Sequence, residues 1–138
     1  MSETASEHGK GWAAANLADL GDGPGFRKIR RALGVEAFGV NAIVLPPGVK
    51  TGYHYHDRQE ELYFLHAGEV EMQFGDGESV RLSPGSAVRV DAAVPRRICN
   101  VGEGEAVYIC VGGEGGYVGR DGRLVEGEER GPSPVDRP

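Results

Sequence analysis

His54 and His56 stand two residues apart, and Glu61 follows after a gap of four, within the stretch TGYHYHDRQEELYFLHAGEV (51–70). The chain holds only four histidines in 138 residues, so two in one tripeptide call for an explanation. Side chains alternate along a β-strand, so both imidazoles project to one face. Imidazole nitrogen and carboxylate oxygen together suit a divalent transition ion such as Fe, Mn, Ni or Zn. Two histidines with one carboxylate are also the ligand set of the non-haem iron facial triad. The plain alternative is a pair of exposed histidines on an edge strand. Glu61 weighs against it, because a third donor at workable spacing is less often accidental. In ELYFLHAG (61–68), Glu61, Tyr63 and Leu65 share one face, and Leu62, Phe64 and His66 share the other. A simple hairpin would set His56 beside Glu61. A crossing to an opposing sheet would bring them together across the interior, and either route converges the three groups.

The elements that must position these residues read as strands. EAFGVNAIVL, stopped by Pro46-Pro47-Gly48, is apolar and β-branched; TGYHYH (51–56) and ELYFLHAG (61–68) follow. EVEMQFGDGESVRL alternates on both sides of an Asp-Gly turn, the pattern of a hairpin. SAVRVD (86–91) is a further strand, and RRICNV with AVYICV reads as another hairpin across GEGE. Short strands punctuated by Gly and Pro predict a β-sandwich or small barrel. Before them, residues 1–25 form an N-terminal lead, with 1–11 expected to be disordered, and WAAANLADL (12–20) fits a helix or an extended segment equally. FRKIRRALG (26–34) also fits either period, its basic residues forming a solvated face. Residues 113–138 are a Gly-, charge- and Pro-rich tail, with a small hairpin expected over 117–125 around Asp121-Gly122 and disorder beyond it.

Composition bounds the function. One domain of this length buries a core unaided. The net charge of −6 argues against nucleic-acid and membrane-surface partners. The polar N-terminus lacks a signal-peptide core, and no apolar run approaches the roughly 20 residues that span a bilayer, so a cytoplasmic protein is expected. Cys99 and Cys110 lack metal-site or redox spacing and read as free thiols. There is no phosphate loop or nucleophile elbow.

The histidine stretch resembles the first signature of the cupin superfamily, G(x)5HxH(x)3–4E(x)6G: Gly48, His54, His56, Glu61 and Gly68 fill every fixed position. The second signature is matched in part by Pro84, Gly85, Pro95 and Asn100. The resemblance covers roughly residues 36–112. It implies an all-β, single-domain barrel of jelly-roll type over residues 26–112, often a homodimer, with a metal inside. It further implies a metal-dependent oxygenase, isomerase or decarboxylase, or a non-catalytic module that binds a small molecule in the same cavity.

The chain departs from the pattern at Arg96, which stands where cupins usually carry their last histidine ligand. A guanidinium has five donors and no lone pair, so it cannot ligate a metal. Three arrangements follow. Arg96 points to the mouth and orients an anionic substrate beside a three-ligand metal; or it pairs with Glu61 in place of the ion; or it swings out to solvent. Tyr63 and Asn100 are candidate substrate contacts, with barrel lining and structural hydrogen bonding as their plainer roles. Gln59 and Arg58 would line an entrance, Arg97 would face outward, and Glu60, His66 and His8 lie off the site by parity or position. Cys110 reads as a small packing residue.

Overall fold

The computed structural model describes residues 7–128 and 133–134. β1 (Glu7–Gly9) and β2 (Trp12–Ala14) pair as a small hairpin, so residues 7–11 are structured where a disordered lead was expected. Residues 1–6 lie outside the described residues. A 3-10 turn, Leu17–Asp19, is capped by Asn16, whose side chain accepts the Ala18 N–H at 2.9 Å. The ambiguous segment after it divides: β3 (Gly25–Arg27) precedes the short helix α1 (Ile29–Leu33), which ends at Gly34 in the left-handed conformation (φ 71°).

The remaining elements are strands: β4 (Gly39–Leu45), β5 (Val49–Lys50), β6 (His54–His56), β7 (Glu60–Ala67), β8 (Val70–Phe74), β9 (Ser79–Leu82), β10 (Ala87–Val90), β11 (Arg96–Asn100), β12 (Ala106–Gly113), β13 (Gly122–Leu124) and β14 (Ser133–Pro134). They form two antiparallel sheets. One runs β10-β7-β12-β4-β3. In the other, β5 and β6 lie along one side of β11 and β8 along its other side, with β9, β13 and β14 outside them. Among the described residues no strand closes the two sheets into a continuous barrel, so the expected jelly roll takes the form of a sandwich.

The core lies between the sheets. Ile43, Leu45, Tyr63, Leu65, Val70, Met72, Leu82, Val90, Ile98, Ala106 and Tyr108 pack there as one cluster. Alternation decides which residues enter it: along β7, Glu61, Tyr63 and Leu65 are buried while Glu60, Leu62, Phe64 and His66 are exposed. The β8–β9 hairpin forms as expected.

Two expected hairpins do not form. β11 pairs with β5, β6 and β8, whereas β12 pairs with β4 and β7 in the other sheet. The loop between them is braced by buried Asn100, whose Nδ2 donates to the carbonyls of Leu45 and Gly104, both at 2.9 Å. Its Oδ1 accepts the Gly102 N–H, also at 2.9 Å. The second case is Asp121-Gly122, which makes no turn between local strands. Instead β13 adds to β6, with Gly122 opposite His56 and Leu124 opposite His54. The histidine strand is therefore flanked by β11 on one side and by the tail on the other. Ser133–Pro134, in the part of the tail expected to be disordered, pairs with β5; residues 129–132 and 135–138 lie outside the described residues.

Candidate metal centre

β6 and β7 belong to opposite sheets, so His54, His56 and Glu61 meet across the interior rather than within a hairpin. One donor atom from each lies within 4.8 Å of the others. His56 Nε2 is 3.1 Å and His54 Nε2 is 3.9 Å from Glu61 Oε1. The two rings meet edge to face with centroids 5.3 Å apart. His56 is anchored at its backbone, its N–H donating to the Ala92 carbonyl at 2.7 Å. His54 Nδ1 lies 3.4 Å from the Gly52 carbonyl. A carbonyl can only accept, so this contact puts the proton on Nδ1 and leaves the Nε2 lone pair toward Glu61. His54 is the half-buried member of the set; His56 and Glu61 are buried.

The carboxylate is gripped from behind. Arg96 is fully buried, and its Nη2 donates to Glu61 Oε1 at 2.9 Å. Its Nη1 is directed at the carbonyls of Val94 (2.7 Å), Ala92 (3.1 Å) and Asp91 (3.4 Å), and its Nε at the Tyr63 hydroxyl (3.3 Å). Arg96 thus makes the ion pair with Glu61 that the second arrangement contains, and it neither reaches the mouth nor swings to solvent. The reason is local: the turn after β10 offers three carbonyls at the length of an arginine side chain from β11. The Tyr63 hydroxyl also donates to Glu61 Oε1, at 2.7 Å, and Cys110 Sγ donates to Oε2 at 3.2 Å.

These contacts set protonation. Burial by itself would raise the Glu61 carboxyl, but His56, the Tyr63 hydroxyl and the Arg96 charge hold it down to about 2. Burial, then the Arg96 charge, lowers His54 below its ordinary value, so it is neutral at pH 7. Burial pushes the Tyr63 hydroxyl and the Cys110 thiol well up, so both remain protonated donors to the carboxylate.

Behind His56 stands the tail. Asp121 is buried, and its Oδ2 accepts the backbone N–H groups of Arg58 (2.9 Å) and Gln59 (2.8 Å) while lying 3.6 Å from His56 Nδ1. Burial raises its carboxyl, and the two backbone donors together with nearby positive charge lower it on balance. The Gln59 side-chain amide lies 3.0 Å from the same Nδ1.

Of the residues singled out by spacing, the structure brings together His54, His56, Glu61, Tyr63 and Arg96. Asn100 lies at the other end of β11 with its amide taken up by the loop, which matches its plainer role. Arg97 faces outward as expected, stacked 4.3 Å over the Tyr53 ring. Cys110 and Asp121 were not anticipated at the site. Strand parity with Tyr108 could have found the first, since alternate residues of β12 face inward. Nothing local marks Asp121, which lies 65 residues from His56 in sequence.

The donor set fits a divalent ion. It offers imidazole nitrogens and an ionised carboxylate, and His56 Nε2, a buried atom, has no partner in hydrogen-bond geometry despite its closeness to Glu61. A carboxylate that ligates a metal is itself commonly hydrogen-bonded, as Glu61 is here.

The Cupin domain family matches residues 41–112, more than half of the chain. The chain is a cupin. No curated protein matches it. Among solved structures, this cupin is similar to a DMSP lyase from Ruegeria pomeroyi DSS-3, at 22% identity over 64% of this chain and 43% of that one (TM-score 0.56). It is similar to a sugar phosphate isomerase from Silicibacter pomeroyi DSS-3, at 26% identity over 64% of this chain and 58% of that one (TM-score 0.60). A cupin protein from Bacteroides fragilis matches at 21% identity over 74% of this chain and 83% of that one (TM-score 0.63). The cupin thus spans about half the length of the lyase and of the isomerase. No helix among its described residues is long and apolar enough to cross a membrane.

Proposed function

We propose that this cupin binds a divalent transition ion through His54, His56 and Glu61 and is a metal-dependent enzyme of the oxygenase, isomerase or decarboxylase type. Its substrate is a small polar or anionic organic molecule held between the sheets. One observation carries the reading: a buried imidazole nitrogen, His56 Nε2, faces an ionised carboxylate and lacks a hydrogen-bond partner. A bound ion would satisfy it and would polarise a substrate oxygen as a Lewis acid. Three protein ligands leave coordination positions open, as catalytic sites require. The enzyme names carried by the similar structures, a lyase and a sugar phosphate isomerase, agree with a small-molecule substrate.

The residues then divide by task. His54, with 31% of its side chain exposed, marks the side from which a ligand enters. Tyr63 and Arg96 hold Glu61 ionised and fixed in orientation, and Arg96 is a positioning residue rather than one that grips substrate. A second reading has its own observation: the 2.9 Å pair between Arg96 and Glu61 already neutralises the carboxylate, so the guanidinium could replace the ion in a metal-free binding protein.

Elemental analysis of untagged protein separates the two. Near-stoichiometric Fe, Mn, Ni or Zn is expected for the wild type, lost in the His54→Ala, His56→Ala double variant with the fold kept. A wild type empty of metal, with Arg96→His acquiring it, would reject the first reading in favour of the second. A double variant that retained the metal would remove these histidines from the site.

A further inference from the structure

The Gln59 amide occupies a place built for it. Its backbone N–H is held by the Asp121 carboxylate at 2.8 Å, beside that of Arg58 at 2.9 Å. The side chain then crosses to His56, with Nε2 3.0 Å from Nδ1. Its carbonyl end lies against Gly112 so closely that a Cβ on that glycine would sit 2.5 Å from Oε1. Three residues from three separate segments thus determine one contact to one imidazole nitrogen.

That contact bears on which ring nitrogen carries the proton. With the amide nitrogen facing it, Nδ1 must accept, and the proton sits on Nε2, 3.1 Å from Glu61 Oε1 but outside hydrogen-bond geometry with it. A protonated Nε2 cannot ligate a metal. With the amide turned over, its oxygen would accept from Nδ1–H, and the Nε2 lone pair would be free. The Asp121 carboxylate, 3.6 Å from Nδ1, favours this second state. We infer that Gln59 is a positioning residue that selects the tautomer of His56: a half-turn of its amide converts the imidazole from a form protonated at Nε2 to one whose Nε2 can ligate a metal. Asp121 and Gly112 hold the amide where it can do so. This rests on the metal reading above for its purpose, but not for its test.

The test is nitrogen NMR of the His56 ring, in metal-free protein and with Zn(II) added. The wild type is expected to show the proton on Nε2 without metal and on Nδ1 with zinc. Gln59→Glu presents only acceptor oxygens and is expected to show Nδ1–H before any metal is added, with zinc bound about tenfold more tightly. Gln59→Leu leaves Asp121 as the neighbouring acceptor and is also expected to show Nδ1–H. A metal-free wild type with the proton on Nδ1, or a tautomer unmoved in both variants, would overturn the inference. If the tautomer follows residue 59 while zinc binds to none of these proteins, the inference stands and the metal reading falls. If zinc binds and the tautomer ignores residue 59, the metal reading stands and the inference falls.

Discussion

Replacing Arg96 with Met removes a buried cation while keeping a long, flexible, apolar side chain in its space. Arg96 is fully buried and Glu61 is 8% exposed, so neither charge has water to fall back on. Breaking such a pair from one side typically costs about 3–5 kcal/mol, because the remaining charge stays buried and uncompensated. The carbonyls of Val94 and Ala92 lose their donor as well. Against a total stability of about 5–15 kcal/mol, this is a large loss. With a urea slope near 2 kcal/mol per molar, a loss of about 4 kcal/mol lowers the midpoint by roughly 2 M. The assay is urea unfolding of metal-free protein for the wild type, Arg96→Met, Glu61→Gln and the double variant. In the Glu61→Gln background no carboxylate is left stranded, so Arg96→Met should cost less, and the cycle should return a coupling above about 1 kcal/mol. A loss below about 1 kcal/mol in the single variant, or costs that simply add, would refute the view that this guanidinium holds the carboxylate in place.

Two further outcomes are expected. The Glu61 carboxyl lies at about 2 when folded, against an ordinary 4.5, so the stability that its ionised form contributes, roughly 3 kcal/mol, is complete above pH 4.5 and is lost as the pH falls toward 2. Unfolding curves of metal-free protein between pH 6 and pH 3 should show about 2 kcal/mol of this loss in the wild type, and a curve of the same slope in Glu61→Gln would count against it. Asn100→Ala should lower stability by about 1–3 kcal/mol, because it leaves the buried Leu45 carbonyl without this donor and removes the side-chain brace on Gly102 and Gly104. Its bound-metal content should stay at the wild-type level; a variant that unfolded normally but lost metal would return Asn100 to the site.

Local chemistry made much of this arrangement legible. Inward and outward residues on β7 follow from alternation alone, and that placed Glu61 with Tyr63. The signature glycines also have visible causes. Gly68 has φ 87°, and a Cβ there would lie 2.7 Å from the Ala106 Cα. What could not be read was pairing at a distance. GEGE and Asp121-Gly122 both look like hairpin turns, and a turn signal says that the chain bends without saying which strand it meets next. β11 and β12 separate into different sheets because each buries its inner face against the other sheet. The segment Gly25–Leu33 could not be assigned to one period because it changes from strand to helix partway. Arg96 could be read as a departure from pattern, but its direction depended on the carbonyls after β10. Asp121 acts on His56 through an encounter between segments far apart in sequence, which no spacing rule records.

The pairing of β13 with β6 has a consequence for how the protein is made. A ribosome delivers the chain from its N-terminus, and the imidazole-bearing strand emerges well before the segment at 122–124 that borders it. Until that late segment arrives, the histidine strand lacks its neighbour on the tail side and the aspartate that tethers the loop beside it. Nascent chains stalled short of residue 121 would therefore hold His54, His56 and Glu61 and still present an unfinished candidate site.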